Sequence, residues 1–138
     1  MTVGKLYLED GVRKCFHNLT VFKFNHFLIM KTDSSGANAY IEFTVEQAVN
    51  LYVKVSSTDR GKVSKFALRS VNGDKETDVT SVFHSSKAVI EVEGVSGHTL
   101  VYTLQAGTYR FYCTSTDRVG RVMSMTVAEY KYIQPEDH

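Results

Sequence analysis

A chain of 138 residues with a net charge of +1 has no global field to steer it to nucleic acid or to an anionic membrane, so charge-based recognition must come from local clustering. Hydrophobic residues make up 43%, enough for a core in a single domain over residues 1–138 and too many for disorder. No stretch approaches the ~20 apolar residues of a membrane helix, MTVGKLYLED holds no apolar leader, and two cysteines make no disulfide framework, although a Cys15–Cys113 bridge stays open.

In chain order, Gly4 to Glu9 alternates and Asp10-Gly11 is a hairpin signal. Val12 to Phe16, Leu19 to Phe24 and Phe27 to Thr32 read as short strands, and DSSGAN (33–38) as a loop. Ala39 to Val45 sets Tyr40, Glu42 and Thr44 against Ile41, Phe43 and Val45. After a turn at Glu46-Gln47-Ala48, Asn50 to Ser56 points Leu51, Val53 and Val55 inward and Tyr52 and Lys54 outward.

STDRGKVS (57–64) is a polar loop, and Lys65 to Val71 is a strand closed by the turn Asn72-Gly73-Asp74. Strands are expected over Asp78 to Phe83 and Ala88 to Val92, with a turn over Gly94 to Gly97. Leu100, Tyr102 and Leu104 share one face, Gln105-Ala106-Gly107 turns the chain back, and Thr108 to Cys113 is aromatic and β-branched. After a loop over 114–120, the spacing sets Val119, Arg121, Met123, Met125 and Val127 against Val122, Ser124 and Thr126. Residues 130–138 read as a polar, frayed tail. No run of ten residues holds a helical period. About nine to eleven short strands with regular turn signals predict an all-β, antiparallel, jelly-roll-like β-sandwich.

Three stretches carry a resemblance. Residues 27–45 run from a short strand ending in Lys31 through a Ser/Gly loop to a strand ending Phe-Thr-Val; LYVKVSSTDRGKVSKFAL (51–68) is a strand, a Ser-rich loop with basic residues and a second strand; Leu104 to Met125 contains L-x-A-G-T-Y. Together they resemble the β-sandwich carbohydrate-binding modules appended to bacterial pectate lyases, in the family that binds pectin. The resemblance covers about Lys5 to Val127 and lacks the Trp-bearing opening strand, since the chain has no Trp. It implies non-catalytic binding of acidic plant polysaccharide, chiefly sparsely esterified homogalacturonan, by a secreted, extracellular module of a larger carbohydrate-active enzyme. By motif position, Lys31 takes one basic place, Arg60 or Lys65 the next, and Arg118 or Arg121 the last; the register does not choose within the pairs.

The chemistry agrees with that expectation. A polyuronate carries a carboxylate on every sugar, and its partners are Lys and Arg making charge-assisted hydrogen bonds. Lys31, Arg60, Lys62, Lys65, Arg110, Arg118 and Arg121 are expected at strand ends or in loops, where solvated surface charge is the competing account for each. Tyrosines offer flat faces to sugar rings. Tyr40, Tyr52, Tyr109 and Tyr112 are candidates, Tyr40 and Tyr109 foremost, with cross-strand core packing the competing account. Tyr109 and Tyr112 must face opposite sides of one strand.

Catalysis is not expected: the five histidines show no ligand spacing, neither cysteine has a CxxC partner, and no GxSxG occurs, although a fold-paired carboxylate couple among Glu42, Asp59, Glu91 and Glu93 stays open. No cofactor and no metal is expected; Asp33, Asp74 and Asp78 read as solvated loop residues rather than calcium ligands. The alternatives are a protein-interaction or adhesin-type sandwich and, for basic residues interleaved with Tyr, a single-stranded nucleic-acid binder, which the modest net charge disfavours.

Overall fold

The structure, a computed structural model, describes residues 13–16, 21–30, 39–57, 59–114 and 120–138, with residues 13–16, 21–30 and 39 described by their backbone. These residues form ten strands: β1 (Arg13–Phe16), β2 (Val21–Met30), β3 (Ala39–Val45), β4 (Val49–Ser57), β5 (Val63–Asn72), β6 (Lys75–Val79), β7 (Val89–Glu93), β8 (His98–Leu104), β9 (Gly107–Cys113) and β10 (Gly120–Glu129). They build two sheets, a six-stranded one ordered β1-β3-β9-β5-β6 with β7 also on β5, and a four-stranded one ordered β2-β10-β4-β8. Every pairing is antiparallel except β1 with β3, which is parallel.

The alternation along each strand decides which face is buried. Ile41, Phe43 and Val45 of β3, Phe66 and Leu68 of β5 and Tyr109, Phe111 and Cys113 of β9 meet Leu51, Val53 and Val55 of β4, Leu100, Tyr102 and Leu104 of β8 and Val122 and Met125 of β10 in a single core. The arrangement is a β-sandwich, as the turn spacing predicts. Phe66 and Phe111, neighbours across β5 and β9, stack with ring centroids 5.7 Å apart. Burying each such side chain contributes about 1.5–3 kcal/mol.

Four local expectations change. Leu19 to Phe24 and Phe27 to Thr32 join into β2, whose pairing with β10 jumps from Lys23 to Leu28 as β10 passes from Ser124 to Val122. That irregularity also breaks the expected alternation in β10. Val122 and Met125 both face the core, and Arg121 is turned to the opposite face. A residue inserted in one strand shifts every later side chain to the other face, which no local period announces. Thirdly, the strand expected at Asp78 to Phe83 begins earlier, as β6: Gly73 adopts φ 62°, so the chain reverses within two residues and Lys75 already pairs with Asn72. The first strand (Gly4 to Glu9), the loops at 33–38 and 115–119, and the side chain of Cys15, hence the Cys15–Cys113 bridge, lie outside the described residues.

β6 and β7 share one edge of β5. Val79 pairs with Leu68 and Val89 with the adjacent Ala67, so the chain leaves the edge at Val79 and rejoins it at the next position. The intervening residues 80–88 swing outward and donate a backbone hydrogen bond from Val82 to Val101 of β8, 2.7 Å long, linking the edges of the two sheets. The C-terminal tail, the fourth correction, docks on this excursion instead of fraying. Glu136 N–H donates to Val82 C=O at 2.7 Å, Ser85 N–H to Glu136 C=O at 3.0 Å, and His138 N–H to Phe83 C=O at 3.0 Å. The Ser86 hydroxyl donates to the Asp137 carboxylate at 2.6 Å, and buried Asn50 on β4 holds the carbonyl of Lys131 at 2.9 Å. A terminus frays when its backbone groups have no partners, and here they have them.

Gly120 faces the core where the sheets approach closely. A Cβ there would lie 2.5 Å from Phe66 Cζ and 2.9 Å from Cys113 Sγ, and the stacked rings give no room. Gly120→Ala is expected to lower unfolding stability by about 1–3 kcal/mol in a urea titration.

Candidate functional site

The outer face of the six-stranded sheet is read off the register. One row runs Glu42, Arg110, Arg69, Asp78 across β3, β9, β5 and β6; the adjacent row runs Tyr40, Tyr112, Ala67, Val89. Arg110 is the centre. Its Nε donates to Glu42 at 2.8 Å and its Nη1 to Glu76 at 3.1 Å, with all three side chains about a quarter exposed. Its guanidinium lies 4.5 Å from the centroid of Tyr40, and that of Arg69 lies 4.9 Å from Tyr112. The Tyr112 hydroxyl donates to Glu76 at 2.6 Å. Burial and this bond to a carboxylate push the Tyr112 hydroxyl up to about 12. Burial alone would weaken the charge on Arg110, but the hydrogen bond to Glu42 and the neighbouring tyrosines hold it charged.

This layer is closed chemistry. Among the described residues, Arg110 and Arg69 are matched by Glu42, Glu76 and Asp78. Tyr40 and Tyr112 are buried and have cations over their rings, so neither presents a free flat face to a sugar. Tyr40 is therefore corrected from sugar platform to structural partner of Arg110. Tyr109 is corrected more strongly. It faces the core, stacks on Phe43 with centroids 5.7 Å apart, and donates its hydroxyl to Gln105 C=O at 2.7 Å.

The open chemistry lies beside this layer, where the excursion leaves the sheet edge. A cleft of about 690 Å³ is lined by Lys65, His84, Lys87, Val89, Ile90, Glu91, Thr114 and His138. β5 and β7 place Lys65 opposite Glu91, the excursion brings His84 and Lys87, the end of β9 leads into Thr114, and the docked tail supplies His138. Lys65 reaches Glu91 only at 3.8 Å, with both side chains about half exposed or more, 49% and 65%. Such an exposed pair is worth at most ~1 kcal/mol, unlike Arg110 in its short, largely buried bridges. His84 accepts or donates at Nδ1 with the Ser81 hydroxyl, 2.9 Å away. Burial first, then the charge of Lys87 and the neighbouring His138, hold its imidazole below the usual histidine range, against the pull of Asp137.

The expected ligand residues are not brought together. Arg121 lies on the outer face of the four-stranded sheet, separated from Lys65 by the whole core, and Arg60 stands exposed on the turn after β4. One ligand strand cannot span both outer faces of a sandwich. Lys31 and Arg118 lie outside the described residues. Of the basic residues expected at strand ends or in loops, Arg110 is instead central in β9. Among the described residues, Lys65 alone of those expected lines the cleft, and Lys87, His84 and His138 were missed because nothing in their spacing relates them to Lys65.

No protein-family model matches the sequence, and no curated protein matches it. Among solved structures, the chain is similar to a glycoside hydrolase family 43 arabinoxylan arabinofuranohydrolase from Bacillus subtilis in complex with cellotetraose, at TM-score 0.46 and 11% identity, over 94% of this chain and 29% of that one. It is also similar to the pre-peptidase C-terminal domain of collagenase from Bacillus anthracis, at TM-score 0.35 and 13% identity, over 91% of this chain and 99% of that one. The chain thus spans under a third of the hydrolase it resembles. Neither likeness, at these values, informs the ligand.

The Arg110 cluster makes a separable prediction. Arg110→Met leaves Glu42 and Glu76 facing each other without their cation and is expected to cost about 2 kcal/mol by chemical denaturation. Arg110→Lys restores the charge but not the two-pronged geometry and recovers less than half of that loss.

Proposed function

We infer that the chain is a non-catalytic module that binds an acidic polysaccharide, holding its carboxylates at the cleft between Lys65 and Lys87. The observation that carries this reading is the contrast between the two cation sets. Arg110 of the outer sheet face is held in short, largely buried bridges, whereas the cleft joins two exposed lysines to a hydroxyl and two imidazoles, with Glu91 loosely paired to Lys65. A lysine ammonium offers three donors on a flexible stem and takes a carboxylate without a fixed approach angle. Val89, exposed on β7, adds an apolar surface against which the C–H faces of a sugar can pack. The sequence resemblance to pectin-binding modules favours sparsely esterified homogalacturonan as the polymer. It also favours an extracellular setting, within a larger polysaccharide-degrading enzyme.

Affinity electrophoresis through gels containing polygalacturonate tests this directly. Retardation is expected to fall as NaCl rises from 50 to 500 mM, since exposed pairs are screened over a few ångströms at high salt. Lys65→Ala and Lys87→Ala are each expected to weaken binding about fivefold, the ~1 kcal/mol of an exposed charge pair. Highly methyl-esterified pectin should bind less, and xylan and cellulose not at all. Equal retardation by neutral xylan, or full retardation in the double alanine variant, overturns the reading, and stronger retention by single-stranded DNA at matched salt transfers the cleft to nucleic acid.

A further inference from the structure

We propose that the cleft is a proton-linked anion site, whose affinity for acidic polysaccharide rises as the medium is acidified from pH 8 to 5.5, with His84 as the group that takes up the proton. The proposal rests on the binding reading above. Its ground is placement: both imidazoles line the same cleft as Lys65 and Lys87, one from the excursion at 80–88 and one from the docked tail. A protonated His84 would add a positive charge to the surface that receives the carboxylates.

The surroundings set the sign. Lys87 faces His84 from its own segment and Lys65 from β5; Glu91 faces the cleft from β7; the tail contributes Glu136, Asp137 and His138, with Glu136 3.7 Å from His138 Nε2. Thr114 and Ser81 are the nearby hydroxyls. In the protein alone, burial and the lysine charge oppose protonation of His84 and outweigh Asp137. A carboxylate between the lysines offsets the charge of Lys87 and adds attraction of its own. The imidazole therefore protonates more readily in the complex than in the free protein. By reciprocity, protons tighten ligand binding by the same factor. The ligand does not blur this, because carboxyl groups with pKa near 3–4 stay ionised throughout the range.

The same depression has a consequence for the free protein. The neutral imidazole is favoured in the folded state, so stability is fully present above pH 6.5 and declines as pH falls through the lowered folded value. Bound polyanion should offset that decline.

Titration calorimetry with polygalacturonate oligomers at constant ionic strength tests the linkage. Affinity is expected to be about fivefold higher at pH 5.5 than at pH 8, the lower end of usual coupling strengths. His84→Gln should remove most of that slope. His98→Gln, on β8 of the other sheet, should leave the slope intact. Lysine-dependent binding that is flat from pH 8 to 5.5, or a slope that survives in His84→Gln, overturns the linkage while leaving the binding reading standing. Binding that is absent at every pH, or indifferent to Lys65→Ala and Lys87→Ala, overturns both.

Discussion

Ten-residue β5 presents more edge than either five-residue neighbour can cover, and the molecule depends on how that edge is filled. β6 takes one half and β7 the other, opposite adjacent residues of β5, so the sheet continues almost unbroken while the chain detours through 80–88. The detour brings polar backbone out beyond the edge, where unpaired N–H and C=O groups would invite association with another chain. They are instead paired inside the molecule, to β8 on one side and to residues 136–138 on the other. The tail therefore completes an edge, and the cleft is the space between the sheet and the strap that covers it.

Charge is divided on the same principle. The centre of the six-stranded sheet's outer face is the least forgiving place for an unmatched ion, because neighbouring strands and buried aromatic rings restrict water. Arg110 meets that demand with two carboxylates and a tyrosine ring. Its geometry is good enough to offset the desolvation of three charges. At the edge, water screens each charge, and Lys65 and Lys87 stand with looser constraints. Arg110 holds its partners at about 3 Å, whereas the exposed Lys65–Glu91 pair, 3.8 Å apart, contributes little.

Two tyrosines show how the tertiary structure redirects a residue type suited to either role. Tyr109 and Tyr40 share composition and strand context with sugar-binding residues, but Tyr109 is drawn into the core by its parity with Phe111, and the ring of Tyr40 is covered by Arg110. Tyr102 goes further: it is fully buried, and burial raises its hydroxyl well above the usual tyrosine range. An aromatic strand such as Thr108 to Cys113 is thus ambiguous until both of its faces are assigned.

Much of the fold was legible locally. Side chains alternate with a period of two, so Leu51, Val53 and Val55, or Leu100, Tyr102 and Leu104, declare a common buried face from their spacing alone. Turn residues such as Asn72-Gly73-Asp74 declare reversals because few residues adopt the required backbone. What composition and period determined was therefore the class, an antiparallel sandwich, and most of its inward-facing residues. Which strands lie side by side was decided only in three dimensions, since strand pairing joins backbones distant in sequence through hydrogen bonds that carry no residue code. That is why Arg110 finds Glu42 across 68 positions, why a pairing irregularity turns Arg121 away from Lys65, and why Lys65, His84, Lys87 and His138 meet at one cleft.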